Sequence, residues 1–576
     1  MAFTRGWRRT PRFGGVWRIG VAALLFAAAA CSGAESPARG DARPGQAAIA
    51  SPHPLATRAG REVLEAGGNA FDAAVAVSAA LAVVEPFGSG IGGGGFFLLH
   101  RAEDGHQVMV DARETAPGEA ARDMFLDEDG EPVPRLSQDG ALAAGIPGLP
   151  AALVHISERY GRLPLADVLA PAIRHAEDGF EAYERMILGL RFKEDLMRES
   201  DAVSAVFFPG GRMPEPGDLI RQPDLAQTLR TLAREGHDGF YRGPLAETLV
   251  EGVRAMGGIW SLEDFADYQV IERAPDVIEY GEARIVAASL PSSGGVVLSI
   301  VLNILDGFDL DALSEAERHH LVIEAMRRGY RDRALYLGDP DFTDIPHARL
   351  THPLYAAGLR ASIRRDRAMP SDLLPGIAAG DESPQTTHFS VIDADGNRVA
   401  TTQTLNFWYG AGVMAPGTGV MLNNEMDDFS TKPGVPDGFD LVTAEANAIE
   451  PGKRMLSSMT PTFVESPRGV AILGTPGGSR IITMVLLGTL AFLEGRDADE
   501  IVAMRRYHHQ YLPDRISHER GAFSDELASA LEAKGHELAE SGRDFGNLQL
   551  VIWEYDGNRV SAASDPRNES GDAQVY

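Results

Sequence analysis

The sequence has one cysteine, Cys31, among 576 residues, and this scarcity limits how the protein is stabilised and what chemistry it performs. No internal disulfide can form, so the folded part depends on core packing. Nothing near Cys31 in the sequence supplies a base, which argues against a catalytic thiol. The composition, 44% apolar and 23% charged, is nevertheless that of a folded globular protein.

Positive charge is also scarce: the sequence has 53 Lys and Arg residues and 82 Asp and Glu residues, which give a formal net charge of −29. Such a surface repels nucleic acid and anionic lipid, so we expect no nucleic-acid partner. The G-x-S-x-G and H-E-x-x-H motifs are absent, which leaves serine-hydrolase and zinc-protease mechanisms without support. His508 and His509 lack a third ligand at helical spacing, and we predict neither a metal nor a cofactor.

The apolar run near the N-terminus, residues 19–30, follows five arginines and is too short to span a bilayer. We therefore predict a signal peptide over residues 1–30 and an exported protein. Cys31 directly follows the run and resembles the lipidation site of bacterial lipoproteins. A membrane-anchored lipoprotein is one expectation, and a periplasmic protein released by ordinary cleavage after residue 30 is the alternative.

Residues 385–390 (QTTHFS) contain the candidate nucleophile, Thr386. A threonine hydroxyl is a weak nucleophile without an adjacent base, and the α-amine of an N-terminal threonine is one such base, since it titrates near about 7.7–8.0. Thr386 is internal, so this hypothesis requires cleavage of the bond between Gln385 and Thr386. The loop-like composition of residues 364–384 favours an accessible bond there. The alternative is an ordinary strand start rich in threonine.

The residues after Thr386 predict a β-hairpin, with strands over 386–393 and 398–406 and a turn at 394–397. For a turn centred on Asp395-Gly396, paired residue numbers sum to about 791, so Thr386 faces roughly position 405. Thr404 and Asn406 would then lie beside Thr386.

Two further segments carry candidate binding groups. Residues 425–428 hold three acids between an apolar segment and Phe429, which indicates partial burial and therefore a cationic partner. A substrate ammonium is one such partner, and a metal is the rival, although the spacing of a calcium loop is not completed. Arg113 follows a predicted strand and could bind a carboxylate through its guanidinium, unless it is solvated or paired with a neighbour.

A predicted strand over 469–473, a turn over 474–478 and an apolar helix over 479–492 place the backbone amides of Gly477 and Gly478 at a helix start. Amides there favour negative charge and would form an oxyanion hole, unless this is only a strand-to-helix turn. We also predict a close-packed glycine turn at 88–95, helices over 70–84, 244–256, 296–305 and 315–337, and a strand over 277–288. The charges of helix 315–337 are interpreted as a solvated face.

Short motifs spread over nearly the whole chain resemble those of the γ-glutamyltransferases (γ-glutamyl transpeptidases), members of the N-terminal nucleophile hydrolase fold. They are residues 67–70 (GGNA), 92–96 (GGGGF), 111–114 (DARE), 291–295 (PSSGG), 336–340 (YLGDP), 386–388 (TTH), 423–430 (NNEMDDFS), 456–459 (LSSM), 477–480 (GGSR) and 508–510 (HHQ). The resemblance implies an α+β fold, a four-layer αββα sandwich. It also implies self-cleavage into a large chain, 31–385, and a small catalytic chain, 386–576, that stay together.

The resemblance also implies roles for individual residues. Thr386 would be the nucleophile that Thr404 orients, and the amides of Gly477 and Gly478 would bind the oxyanion. The clamp for the substrate α-carboxylate would be Arg113, Ser457 and Ser458. The receptor for its α-ammonium would be Asn406, Glu425 and Asp428. Glutathione or another γ-glutamyl compound would be the donor, and water, an amino acid or a peptide the acceptor.

The chain departs from the family pattern in two places. Phe439 stands where many bacterial members have a tyrosine whose hydroxyl closes the pocket. Residues 407–409 (FWY) are bulkier than the small hydroxyl residues common there and are expected to narrow or reshape the acceptor side. Two other functions stay open at this point. One is a related acylase that removes a glutaryl-type group, and the other is a secreted, non-catalytic binding protein of the same fold.

Overall fold

The structure is a computed structural model that describes residues 43–374, 386–435, 441 and 443–576. The predicted signal peptide, Cys31, Gln385 and Phe439 lie outside the described residues. Within the described ranges, no helix is both long enough and apolar enough to cross a bilayer.

The strands carry the framework of the fold. In chain order they are β1 (Ala48–Ser51), β2 (Gly94–Arg101), β3 (His106–Ala112), β4 (Phe180–Glu181), β5 (Leu219–Ile220), β6 (Ile271–Arg273), β7 (Asp276–Tyr280), β8 (Ala283–Ala287), β9 (Thr387–Ile392), β10 (Arg398–Thr404), β11 (Thr462–Glu465), β12 (Gly469–Gly474), β13 (Tyr507–His508), β14 (Ile516–His518), β15 (Leu538–Glu540), β16 (Gln549–Glu554), β17 (Arg559–Ser564) and β18 (Asp572–Val575).

The helices cover the sheets. In chain order they are α1 (Pro54–Glu65), α2 (Ala70–Val84), α3 (Leu149–Tyr160), α4 (Leu165–Asp178), α5 (Glu184–Phe192), α6 (Glu194–Glu199), α7 (Asp201–Phe207), α8 (Pro223–Glu235), α9 (Asp238–Tyr241), α10 (Gly243–Ala255), α11 (Leu262–Asp267), α12 (Gly294–Leu305), α13 (Glu315–Tyr336), α14 (His347–Leu350), α15 (Pro353–Ala361), α16 (Ile481–Leu493), α17 (Ala498–Ala503) and α18 (Asp525–Ala533).

Two large sheets face each other. The first has the order β18-β1-β9-β10-β2-β3-β6, and the second has the order β17-β16-β12-β11-β8-β7. Alternate side chains point to opposite faces of a strand, and the burial follows this period. Ile392 and Ala400 of the first sheet meet Phe463 and Ile472 of the second in one apolar cluster between the sheets.

The outer face of each sheet is covered by helices. Val391 and Val399 of the first sheet belong to the cluster that contains all the apolar residues of α2. Ala471 and Leu473 of the second sheet share a cluster with α12, α13 and α16. Every residue of α2 is buried, and its small side chains let it lie close to the sheet. The layers are helix, sheet, sheet and helix, so the predicted αββα sandwich is confirmed.

The hairpin of β9 and β10 forms as predicted, but its register differs by one residue. The pairs run from Arg398↔Ile392 to Gln403↔Thr387, so the paired numbers sum to 790. The turn is shorter by one position because one carboxylate oxygen of Asp393 accepts from the backbone amides of Asp395 and Asn397, at 3.0 and 2.9 Å. Continuing this register by one pair places Thr386 opposite Thr404.

The single strand predicted over 277–288 is wrong. The segment is a hairpin, β7 and β8, in which Tyr280 pairs with Ala283. Gly281 has a φ of 57° in the tight turn between them, a conformation that glycine adopts at little cost. The predicted helices over 70–84, 244–256, 296–305, 315–337 and 479–492 are confirmed to within a few residues at their ends.

The interpretation of the charges on α13 as a solvated face is also wrong. Arg327, Arg328 and Arg333 are all at least 97% buried. Glu324, itself buried, accepts from both Arg327 and Arg328. From His320 to Ala334 nearly every residue of α13 is buried, so the charged groups in that part of the helix need internal partners.

Gly93 immediately precedes β2 and lies against the backbone at the end of β10, and we expect Gly93→Ala to destabilise the protein. A Cβ atom there would be 2.0 Å from the backbone oxygen of Thr404, so one strand must move. Overpacking of this kind costs about 1–3 kcal/mol. The control is Gly358→Ala on α15, where no atom lies within 4 Å of the added carbon. Thermal unfolding would show a lower midpoint for Gly93→Ala alone, and equal midpoints would contradict the close approach.

Candidate active site

A cavity lies where the ends of the two sheets meet. Its lining residues come from the end of β10, from α13 and α16, and from the loops and turns beside the strands: Arg113, Arg333, Thr386, Thr404, Asn406, Glu425, Asp428, Leu441, Ser457, Ser458, Met459, Gly478, Ser479 and Ile481. Nine of the ten predicted catalytic and binding residues are in this lining, and Gly477 is the chain neighbour of one lining residue. Cys31 lies outside the described part of the chain.

Thr386 and Thr404 occupy the open end of the β9-β10 hairpin. Thr386 is buried and immediately precedes β9, and Thr404 is the last residue of β10. The hydroxyl of Thr404 accepts from the backbone N–H of Asn406 at 2.7 Å. Asn406 has a φ of 79°, in the left-handed region that asparagine tolerates. Its Nδ2 donates to the backbone oxygen of Asn424 at 3.0 Å, which fixes the orientation of the amide.

Arg113 lies at the far side of the cavity, directly after β3, and is fully enclosed by acidic partners. Its guanidinium forms ion pairs with Glu425 and Asp428, and with Glu114 at 3.6 Å. Its Nε also donates to the backbone oxygen of Met455 at 3.3 Å. Glu425 is buried and Asp428 is partly buried, as the sequence indicates, and the cationic partner of both is Arg113.

Burial dominates the ionisation of these acids. It raises the pKa of Glu114 to about 8 and raises the pKa values of Glu425 and Asp428, although Arg113 opposes each shift. Burial acts to lower the pKa of Arg113, but the three acids outweigh it and raise that pKa above its ordinary value. The guanidinium stays charged, while one cation is not enough to keep three buried carboxyls ionised.

Ser457 and Ser458 are held by the loop that precedes α12. The N–H and the hydroxyl of Ser293 both donate to the backbone oxygen of Ser457, each at 2.7 Å. The hydroxyl of Ser458 accepts from Nη2 of Arg333 at 3.1 Å. Both serines are buried and line the cavity, and the hydroxyl of Ser457 accepts from the backbone N–H of Met459 at 3.1 Å.

Gly477 and Gly478 form the turn between β12 and α16. Their φ values are 145° and 55°, both in the region that favours glycine. A 3-10 turn, Gly478–Arg480, leads directly into α16, so the two amides stand at the start of a helical segment as predicted. Such amides stabilise a developing negative charge.

The residues that follow Thr386 are structural. Thr387 donates its hydroxyl to Glu85, a buried carboxyl whose pKa burial raises to about 7. His388 lies between the sheets and contacts the hydroxyl of Thr402 at 2.8 Å. Burial lowers the pKa of His388 to about 3, so its imidazole is neutral. The base for Thr386 must therefore come from another group.

Arg333 is the charged lining residue that the sequence analysis missed. The sequence of α13 does not single it out, because charged residues are spread along the whole helix and only packing decides which of them are buried. The expectation for residues 407–409 needs correction at Trp408 and Tyr409. Trp408 packs against Phe87, with ring centroids 4.9 Å apart, and Tyr409 packs against Phe207 at 5.3 Å. These rings fill the core beside α5 and α7, and the described lining of the cavity does not include them.

The fold and the site together define an enzyme of the N-terminal nucleophile hydrolase class. The sequence matches the gamma-glutamyltranspeptidase family over residues 56–575. It is 40% identical to the glutathione hydrolase proenzyme of Escherichia coli K12 over 568 residues, which cover 96% of this chain and 97% of that one. The chain therefore belongs to the γ-glutamyltranspeptidase family, and the resemblance found in the sequence is confirmed.

Two solved structures show the same architecture. Cephalosporin acylase from Bacillus halodurans has a TM-score of 0.80 and 26% identity, and the match covers 92% of this chain and 96% of that one. The γ-glutamyltranspeptidase of Helicobacter pylori has a TM-score of 0.55 and 41% identity, over 56% of this chain and 93% of that one.

Glu114 makes a testable contribution to the pH dependence of stability. Its pKa rises from 4.5 to about 8 on folding, so between these values the folded state holds a proton that the unfolded state has lost. This contribution is most favourable below pH 4.5 and is lost as the pH rises towards 8. Glutamine resembles the protonated form and does not titrate. We expect the unfolding midpoint of Glu114→Gln, relative to the unsubstituted protein, to increase by a few degrees from pH 5 to pH 8.

The matched control is Glu128→Gln, in an exposed loop. The difference between its midpoint and that of the unsubstituted protein should be the same at pH 5 and pH 8. A difference for Glu114→Gln that is also constant with pH would show that Glu114 is ionised in the folded protein.

Proposed function

We propose that this protein is a γ-glutamyltransferase and glutathione hydrolase, which forms a γ-glutamyl ester on Thr386 and transfers the group to water, an amino acid or a peptide. The observation that carries the proposal is the charge arrangement of one cavity. A threonine at a strand start shares the cavity with arginine and serine groups suited to a carboxylate and with acids suited to an ammonium. These are the two charged groups of an amino-acid head.

The active form arises by cleavage of the precursor. The hydroxyl of Thr386 attacks the carbonyl carbon of Gln385, the peptide bond breaks, and an ester joins the two segments. Water then hydrolyses the ester and leaves Thr386 with a free α-amine. The products are a large chain, 31–385 after removal of the signal peptide, and a small chain, 386–576, and the name proenzyme of the Escherichia coli relative agrees with this maturation.

The substrate binds by its amino-acid head. Arg113, Ser457 and Ser458 receive the α-carboxylate, and Asn406, Glu425 and Asp428 receive the α-ammonium. The Nδ2 of Asn406 is engaged by Asn424, so its Oδ1 is the end available to an ammonium. The ammonium supplies positive charge to the acids that Arg113 alone does not balance, and this favours their ionised forms.

The chemistry follows from Thr386 and the glycine turn. The α-amine of Thr386 takes the hydroxyl proton as the oxygen attacks the γ-carbonyl carbon, and the hydroxyl of Thr404 helps to orient Thr386. The amides of Gly477 and Gly478 bind the oxyanion of the tetrahedral intermediate. Collapse of the intermediate expels the leaving amine, which takes the proton, and an acceptor then attacks the ester in the same way.

The location of the enzyme is part of the proposal. The arginine-rich start and the short apolar run at residues 19–30 favour export. Attachment through lipidated Cys31 would hold the enzyme on a membrane surface, and cleavage after residue 30 would release it into the periplasm. Mass analysis of the mature N-terminus distinguishes these outcomes.

Maturation is tested first. The chain without residues 1–30 should yield a fragment that begins Thr386-Thr387-His388, and Thr386→Ala should remain a single chain because it lacks the attacking oxygen. Ser390→Ala is the control, since this hydroxyl lies on the same strand and contacts Gln549 instead of the cavity. Mass spectrometry and N-terminal sequencing identify the products. A persistent single chain in the unsubstituted protein would contradict the proposed maturation.

Asp428→Asn tests the amino-acid head against the glutaryl-type acylase alternative, which the likeness to a cephalosporin acylase keeps open. We expect kcat/KM for γ-glutamyl-p-nitroanilide to fall about 30-fold or more, because a buried charge partner is lost. Asp427→Asn is the control, since its carboxylate contacts Ser137 and lies outside the described lining of the cavity. Unchanged activity on the γ-glutamyl anilide, with turnover of glutaryl-p-nitroanilide, would favour the acylase.

A further inference from the structure

Arg333 forms part of the cavity wall next to Ser458. Its side chain projects from the last turn of α13 and is 97% buried. Its Nε donates to the hydroxyl of Ser293 at 2.9 Å, and its Nη2 donates to the hydroxyl of Ser458 at 3.1 Å. The guanidinium therefore connects α13 to both loops that shape this side of the cavity.

The bond to Ser458 determines where that hydroxyl can donate. A serine hydroxyl has one proton and two acceptor lone pairs. Arg333 has no acceptor, so the oxygen of Ser458 must accept, and its own proton points away from the guanidinium. Ser458 lines the cavity, so this proton is available for donation to a group bound there. A charged donor also polarises the hydroxyl and makes it a stronger donor in turn.

Arg333 adds a second cation to a cavity whose first cation is already paired. Arg113 faces three carboxyls, Glu114, Glu425 and Asp428, and two of them form close ion pairs with it. An entering carboxylate would meet a cation that is already surrounded by negative groups. Arg333 places a further positive charge in the wall beside Ser458, and its field acts together with that of Arg113 on Asp428.

We propose that Arg333 is a positioning residue that determines specificity for the α-carboxylate of the substrate, by directing the hydroxyl of Ser458 and by supplying the second positive charge of the carboxylate side. This inference rests on the proposed γ-glutamyl transfer and adds a determinant of substrate class to it. A donor without an α-carboxylate gains nothing from Arg333.

Three anilides separate the charged groups of the donor. γ-Glutamyl-p-nitroanilide has both the carboxylate and the ammonium, glutaryl-p-nitroanilide keeps only the carboxylate, and 4-aminobutyryl-p-nitroanilide keeps only the ammonium. We expect Arg333→Met to lower kcat/KM about 10- to 100-fold for the first two, as for the loss of a charged hydrogen bond, with most of the change in KM. For the 4-aminobutyryl compound kcat/KM should change less than about 3-fold. Arg333→Lys keeps the charge and should give a smaller loss.

Arg328→Met is the matched control. Arg328 is equally buried on the same helix, but it contacts Glu324 and Ser362 and lies outside the described lining of the cavity. It should reproduce the stability cost of losing a buried arginine without the discrimination between anilides. Rates are normalised to the amount of small chain released in each variant, so a change in maturation does not affect the comparison.

The outcomes separate this inference from the proposed function. Equal losses on all three anilides, or the same discrimination in Arg328→Met, would overturn the role of Arg333. Failure of both Arg333 variants to mature would assign Arg333 to the architecture and would also overturn it. An unsubstituted protein that matures but does not turn over γ-glutamyl-p-nitroanilide would instead contradict the proposed function.

Discussion

The ion cluster around Arg113 is the interaction on which the site depends. A buried guanidinium joins the end of β3 to the turn at 425–428 and to the backbone at Met455. These segments are distant in sequence, and burial makes each charge costly without its partner. The cluster therefore contributes less to net stability than to geometry, since it fixes which groups face each other across the cavity.

The same cluster bears on the proposed maturation. Arg113 belongs to the segment before Thr386, whereas Glu425, Asp428 and Met455 belong to the segment after it. Cleavage before Thr386 would leave this connection intact, as it would leave the pairing of β10 with β2. The two products would share one core and one cavity, so the bond that frees the α-amine of Thr386 can break without separating the groups that bind substrate.

Close approach of backbone segments shapes the surroundings of the cavity. Glycine at position 93 permits contact with the end of β10, and glycine at 477 and 478 permits the turn that places two amides at the start of a helical segment. The position of β10 determines where Thr404, its last residue, lies, and therefore where Asn406 lies two residues further on. The close approach of Gly93 to β10 thus helps to position the hydroxyl of Thr404 and the side-chain amide of Asn406.

Local patterns predicted the parts of this fold that local forces control. The long apolar helices, the hairpin after Thr386 and the glycine turn at 477 and 478 follow from periodicity and turn chemistry. The exact residue pairing of the hairpin could not be predicted from these patterns, because the side chain of Asp393 closes the turn one position early. The hairpin at Gly281 was missed because its turn is very short. The residues before and after the turn are both strand-like, so they were predicted as one continuous strand.

The candidate site was predictable to the extent that its residues lie in distinctive short motifs. Arg113 and the acids at 425–428 stood out as candidates, but their mutual pairing depends on tertiary contacts between segments about three hundred residues apart. Arg333 stood in a helix whose charges resembled a solvated surface. Only its burial beside Ser458 distinguishes it from the other arginines of α13, and burial is a property of the packed layers.

A bound amino-acid head would change how charge is balanced in the cavity. Arg113 is shared among three carboxyls whose pKa values burial raises, so protons supply part of the compensation. An ammonium placed against Glu425 and Asp428 would replace those protons and release Arg113 to interact with a carboxylate. A ligand that brings both charges therefore satisfies the site better than a ligand that brings either one, and this coupling favours an amino-acid head over a simple acyl group.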